Sequence, residues 1–182
     1  MLDEVQTGVG LTGTAWAYQQ LGLEPDIVAF AKKVQLGGIM AGRRVDEVAD
    51  NVFAVPGRIN STWGGGLVDM VRSRRILEII EREGLIEHAA KVGGRLLNEL
   101  VALGERHAGV ASNVRGRGLM CALDLPDARV RDVARRLLQE EHVLVLPCGE
   151  RSIRVRPALD VTEAELEFGL AALDRTLTAL AR

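Results

Sequence analysis

The chain has 182 residues, of which 47% are apolar and 26% charged, values that suit a globular protein of one domain or somewhat more. A formal charge of −2 and an aromatic content of 3% offer neither the attraction nor the stacking surface that nucleic acid requires. No apolar run approaches the roughly 20 residues that span a bilayer, no basic start precedes an apolar core, and Cys121 and Cys148 lack metal-ligand spacing. The expectation is a reduced, cytoplasmic protein with no nucleic-acid, membrane or metal partner.

The chain opens Met1-Leu2-Asp3-Glu4, so a strand that delivers Asp3 has almost no residues before it. This predicts a sheet cut at its amino-terminal side. Gly8, Gly10 and Gly13 among threonines read as a loop. Ala15 to Gly22 reads as a short helix with Gly22 as its left-handed cap. Ile27 to Ala31 is an apolar run opened by Pro25-Asp26 and ended by Lys32-Lys33, as expected of a buried strand of a parallel sheet. Ile39-Met40-Ala41 is a second apolar piece, and residues 56–66 form a Gly-rich loop carrying Asn60, Ser61 and Thr62.

From Leu67 the period becomes helical. Leu67, Met70, Val71, Leu77 and Ile80 are expected on the inner face of a helix stopped at Gly84. Ala89, Val92, Leu96, Leu100 and Leu103 define a second helix. Gly116 and Gly118 then precede a strand over 119–125, and Pro126-Asp127 opens a third helix. Short strands are expected over 143–146 and 152–155 around a turn at 147–150. Thr162 and Glu165 form a capping box for a last helix. His88, His107 and His142 lie in charge-rich helical contexts and read as surface residues. The predicted division is residues 1–66, part of a larger parallel sheet, and residues 67–182, a linking helix with an α+β unit.

Asp3-Glu4-Val5-Gln6-Thr7-Gly8, Pro25-Asp26-Ile27 with Lys32 six residues beyond Asp26, and Ser61-Thr62-Trp63-Gly64-Gly65 together resemble the class III aminotransferases. These are pyridoxal-phosphate enzymes of fold type I. The resemblance implies an α/β fold: a remnant of the large cofactor-binding domain followed by the small carboxy-terminal domain. It implies pyridoxal 5'-phosphate as cofactor, which needs a lysine amine to hold it as an imine and to shuttle a proton at the substrate carbon. The family spacing gives that role to Lys32, with Lys33 as a neighbouring charge that disfavours a second cation. Asp3 matches the carboxylate paired with the pyridine nitrogen, and Gln6 a residue that hydrogen-bonds the ring hydroxyl. Thr62 matches a threonine that reaches the phosphate of the other subunit, which implies a homodimer.

Ile153-Arg154-Val155-Arg156-Pro157 resembles the strand that carries the family's substrate-carboxylate arginine. Arg154 takes that role by its distance from Pro157, with Arg156 as the alternative under a shifted alignment. A guanidinium grips a carboxylate through two parallel hydrogen bonds. The form of the motif around Trp63 implies that the terminal amino group of lysine passes to 2-oxoglutarate, with an ornithine- or 4-aminobutyrate-type enzyme as the alternative. Gly66 departs from the asparagine usual after Gly-Gly. The family's glycine-rich phosphate turn and the aromatic ring stacked on the cofactor have no counterpart in these residues. The expectation is therefore a chain inactive by itself, the other reading being a non-catalytic interaction module that keeps the motifs.

Overall fold

The computed structural model describes residues 1–181, and the chain divides into two units. One comprises Met1–Gly10 with Thr14–Gly84, the other Leu11–Gly13 with Leu85–Arg182. Residues 67–84, expected to begin the second part, fall in the first unit.

In the first unit, β1 (Leu2–Asp3) pairs in parallel with β2 (Ile27–Phe30), with Asp3 opposite Ala29. An antiparallel third strand, β3 (Gly38–Ala41), flanks β2 on its other side. The apolar run thus forms the central strand and buries Val28. Gly38 lies opposite Phe30, where a Cβ would come within 2.6 Å of the Phe30 ring, so the glycine lets that ring cross the strand. The segment expected as a helix is a tight turn of 3-10 form, Ala17–Leu21, ended as predicted by Gly22 in the left-handed region. The turn is one residue longer than the usual limit for this form and does not continue as an α-helix.

Helix α1 (Leu67–Arg82) forms where the periodicity places it, but its expected inner face is not covered. Leu67 is 78% exposed and Val71 70%, and Met70 and Leu77 are also exposed, while Ser73 and Ile80 are the buried positions. The apolar stripe is broader than the surface it packs on, which includes the turn Lys32–Val34. Arg72, Arg74 and Arg75 are exposed, with Arg74 and Arg75 both paired with Glu78.

In the second unit, helix α2 (Leu85–Arg106) is followed by β4 (Ser112–Arg117) and β5 (Met120–Asp124). Helix α3 (Ala128–Glu140), β6 (Leu146–Cys148), β7 (Ser152–Val155) and helix α4 (Glu163–Leu180) complete it. The sheet is antiparallel throughout, in the order β4-β5-β7-β6. Cys121, Leu123 and Ile153 from one face of the sheet join Leu96, Leu100, Leu138 and Leu177 from the helices in a single core. This is the regular alternation of a sheet with one face against helices. Asp127 caps α3 by accepting from Val130 N at 2.8 Å, and Thr162 with Glu165 forms the predicted capping box of α4.

Two departures have clear causes. Strand β4, which the sequence does not predict, runs through Gly116, expected ahead of a strand rather than within one. A Cβ there would stand 2.4 Å from Cys121 Sγ, so the glycine permits close strand pairing. The histidines are not all at the surface. His107 Nε2 lies 2.7 Å from Asp174 Oδ1 with only 12% of its side chain exposed, and His88 Nε2 lies 2.9 Å from the Val161 carbonyl. A histidine in or just past a helix finds an acceptor, a carboxylate for His107 and a carbonyl for His88, once the chain packs.

Candidate active site

Asp3, Gln6 and Lys32 lie at or just beyond the ends of the parallel pair of the first unit. Asp3 ends β1, and its Oδ1 accepts from Val5 N at 2.9 Å, a local turn that fixes the carboxylate. Glu4 N then donates to the Ala29 carbonyl at 2.9 Å, continuing the parallel ladder one step beyond the strand.

Glu4 itself is only 4% exposed. Its carboxylate accepts from Tyr18 N at 2.8 Å and from the Thr7 hydroxyl. It therefore holds both sides of the 4–18 loop. Gly8 fits beneath Trp16, where a Cβ would stand 2.5 Å from the indole. Gln6 lies between these anchors.

Lys32 follows β2 by two residues and begins the turn Lys32–Val34. Its side chain is exposed, and its φ of +48° is left-handed, a conformation that side chains other than glycine adopt at a cost. The neighbouring Lys33 sends its Nζ to the Gln6 carbonyl. The turn that carries Lys32 is thus tied to the loop that carries Asp3 and Gln6. The sequence suggests only an electrostatic part for Lys33, and this bond is a mechanical one it did not reveal.

Thr62 lies in the exposed, irregular loop before α1, beside Trp63, which is 88% exposed. Arg154 belongs to the second unit. It is half-buried within β7, paired with Ala122 of β5 on one side and Leu146 of β6 on the other. Arg156 lies past the end of β7, exposed, where it lines an apolar cavity with Val155, Leu138 and Leu173. The two arginines that the sequence leaves as alternatives therefore have different surroundings.

Beside Arg154 is a polar cluster that the sequence reading missed. Asp124, 6% exposed, accepts from Ser152 Oγ at 2.5 Å, Arg115 Nη1 at 2.8 Å and Asn113 Nδ2 at 3.0 Å. Arg115 Nη2 also reaches Ser152 Oγ at 3.1 Å, and Arg151 Nε stands 3.7 Å from Asp124 Oδ2. The Ser152 hydroxyl first, then the Asn113 amide and the Arg115 guanidinium, hold the Asp124 carboxyl well below the usual carboxylate range against the opposing effect of burial. Asn113 reaches it from a bulge in β4, with its own backbone at φ +48°. Arg115 braces three strands, bonding the Asn113 carbonyl on β4, Asp124 on β5 and Ser152 on β7. The opposite charges of Arg115 and Asp124 are the available signal, masked because Gly116 and Gly118 obscure β4.

Burial pushes the Cys121 thiol up to about 11. Among the described residues no His, Cys, Asp and Glu cluster could hold a metal, and no helix is long and apolar enough to cross a membrane.

The profile of the family described as aminotransferase class-III matches residues 1–177. The L-lysine-epsilon aminotransferase of Amycolatopsis lactamdurans is 59% identical over 180 residues, 98% of this chain and 40% of that protein. The lysine aminotransferase from M. tuberculosis superposes with a TM-score of 0.94 at 57% identity, over 98% of this chain and 41% of that one. The mitochondrial 4-aminobutyrate aminotransferase of Homo sapiens is 37% identical over 87% of this chain and 31% of its own length. The chain spans about 40% of the length of the lysine-epsilon relatives it matches.

Proposed function

The chain belongs to the class III aminotransferase family, and from that membership we propose that it contributes the lysine-bearing part of a pyridoxal-phosphate-dependent lysine 6-aminotransferase. The reaction would move the terminal amino group of L-lysine to 2-oxoglutarate, giving glutamate and the lysine-derived semialdehyde. One observation carries this reading. Asp3, Gln6 and Lys32 stand at neighbouring ends of two parallel strands, and Lys33 ties the two ends together.

The donor set fits the cofactor: a primary amine for its aldehyde, a carboxylate for its ring nitrogen and a carboxamide for its hydroxyl. When bound, pyridoxal phosphate supplies a ring that withdraws electrons from the substrate carbon. Lys32 Nζ would hold the group and, once displaced by substrate, take and return the proton at that carbon. Asp3 would keep the ring nitrogen protonated. The Thr62 hydroxyl and the neighbouring glycine amides suit a phosphate, and we assign them to the phosphate of the partner subunit. The exposed apolar residues Trp63, Leu67, Val68 and Val71 support a homodimer of this kind. Arg154 is assigned the substrate carboxylate rather than Arg156, because a strand paired on both sides fixes its Cα.

The preference for lysine over 4-aminobutyrate rests on identities of 59% against 37%. Residues 1–182 alone are inferred to be inactive, since a site holding part of its contacts is not preorganised. The activity is assigned to these residues within a protein of the relatives' length, and two free cysteines suit a cytoplasmic setting. The test is glutamate formation from 2-oxoglutarate with lysine, ornithine or 4-aminobutyrate. Lysine as the fastest donor in the full-length protein, with no turnover by the 182-residue chain, is the expected result. A preference for another donor overturns the substrate, and turnover by the short chain overturns its inferred inactivity.

A further inference from the structure

The polar face of the second sheet carries two rows of cross-strand neighbours. Arg115, Ala122, Arg154 and Leu146 form one row, and Asp124, Ser152 and Cys148 the next. Ser152 and Arg154 are two residues apart on β7 and so share this face, as Asp124 and Ala122 do on β5. A slip of one residue in β7 would turn Arg154 towards the core and bring Ile153 or Val155 to the polar face. Strand β7 has four residues and its outer neighbour β6 three, so the backbone ladder that resists such a slip is short.

What opposes the slip is the row below. Asp124 accepts from Ser152 on β7 and from Asn113 and Arg115 on β4, so one buried carboxylate holds three strands in a single alignment. It also fixes Arg115, the second guanidinium of the Arg154 row. Arg115 is held on the Asp124 side by the Asp124 carboxylate, the Ser152 hydroxyl and the Asn113 carbonyl at 2.8 Å. Ala122, small and between the two arginines, leaves room for both.

We propose that Asp124 is a positioning residue for Arg154, setting the strand register and the place of Arg115 so that the Arg154 guanidinium is presented to the carboxylate of the amino or keto acid. This rests on the assignment of Arg154 made above. Asp124 touches no substrate, and its effect passes through β7. The shape of Asp124→Asn keeps an acceptor but removes the charge that aligns Arg115 and Ser152.

The experiment compares Asp124→Asn and Arg154→Lys in the full-length enzyme. It reads KM for 2-oxoglutarate against kcat, the Kd for glutarate as an unreactive dicarboxylate, and amide exchange at Ile153–Val155. Arg154→Lys is expected to raise KM and the glutarate Kd by about tenfold or more, the loss of a two-pronged grip. Asp124→Asn is expected to raise both by about three- to tenfold with kcat within about twofold, and to speed exchange in β7. Unchanged KM and Kd in Asp124→Asn, with the Arg154→Lys effect present, overturns the positioning role and leaves the Arg154 assignment standing. Unchanged values in Arg154→Lys overturn that assignment and the proposal with it. Should Asp124→Asn fail to fold, Ser152→Ala removes one donor only and is judged on the same split: a raised KM with kcat kept supports the role, and an unchanged KM overturns it.

Discussion

The side-chain ammonium of Lys33 donates to the backbone carbonyl of Gln6, fastening the turn after β2 to the loop after β1. Two adjacent lysines thus do different work. Lys33 is spent on the scaffold, and Lys32 stands exposed on a left-handed backbone. In the full-length protein, borohydride reduction with pyridoxal phosphate should label the peptide carrying Lys32. Lys32→Ala should abolish that label. Lys33→Ala should keep it while weakening cofactor affinity roughly tenfold, the worth of about 1.5 kcal/mol for one charge-assisted hydrogen bond. A label that survives Lys32→Ala and vanishes in Lys33→Ala reverses the assignment.

Glu4 is the hub of the loop that carries Gln6. Replacing it with alanine leaves the Tyr18 amide and the Thr7 hydroxyl without their acceptor. The expected cost is about 1–3 kcal/mol, read from urea unfolding of the 182-residue chain. Glu4→Gln, which keeps an acceptor oxygen, should lose less.

Helix α2 meets the turn between β4 and β5 through Gly93 and Gly118. A Cβ at Gly93 would lie 2.1 Å from the Gly118 carbonyl carbon, so backbone has to move. Gly93→Ala is expected to destabilise by roughly 3 kcal/mol or more, despite the better helix propensity of alanine. Gly94→Ala, at a position with open space around it, should be neutral or slightly stabilising. Thermal unfolding of the pair checks the contrast, and equal melting temperatures would contradict the close approach.

The depressed pKa of Asp124 makes stability depend on acid. Its folded-state value lies below the unfolded carboxylate, so the stabilisation is complete above about pH 4 and declines as pH falls through the folded value. Asp124→Asn should be less stable than the parent at neutral pH, with the gap narrowing on acidification below about pH 4. Urea midpoints of both proteins over that range provide the measurement. A gap that stays constant excludes Asp124 as the source.

The sequence was most readable where one physical signal dominated. The run Ile27–Phe30, the period of α2 and the Thr162–Glu165 cap each depend on local chemistry, and each lies where it was expected. The glycines misled, because Gly116 looks the same whether it turns a chain or lets two strands approach. Strand β6 begins at Leu146 rather than near Val143, since apolar residues after a helix do not reveal where pairing starts. Of the proposed site, Asp3, Gln6 and Lys32 are named by the family resemblance, and folding sets them at or just beyond the ends of the paired strands β1 and β2. The work of Glu4, Lys33 and Asp124 was not legible, for it depends on partners far away in the chain that only folding brings near.

Leu11–Gly13 belongs to the second unit although the chain on both sides of it belongs to the first. Leu11 is 1% exposed, and its carbonyl accepts from Leu119 N at 2.9 Å. A piece cut to begin at Leu85 would therefore lack one of its own core side chains and leave an amide unanswered. The second unit is thus discontinuous in sequence, and a proteolytic nick between Gly10 and Thr14 frees one end of a piece of its core, which a nick after Gly84 does not.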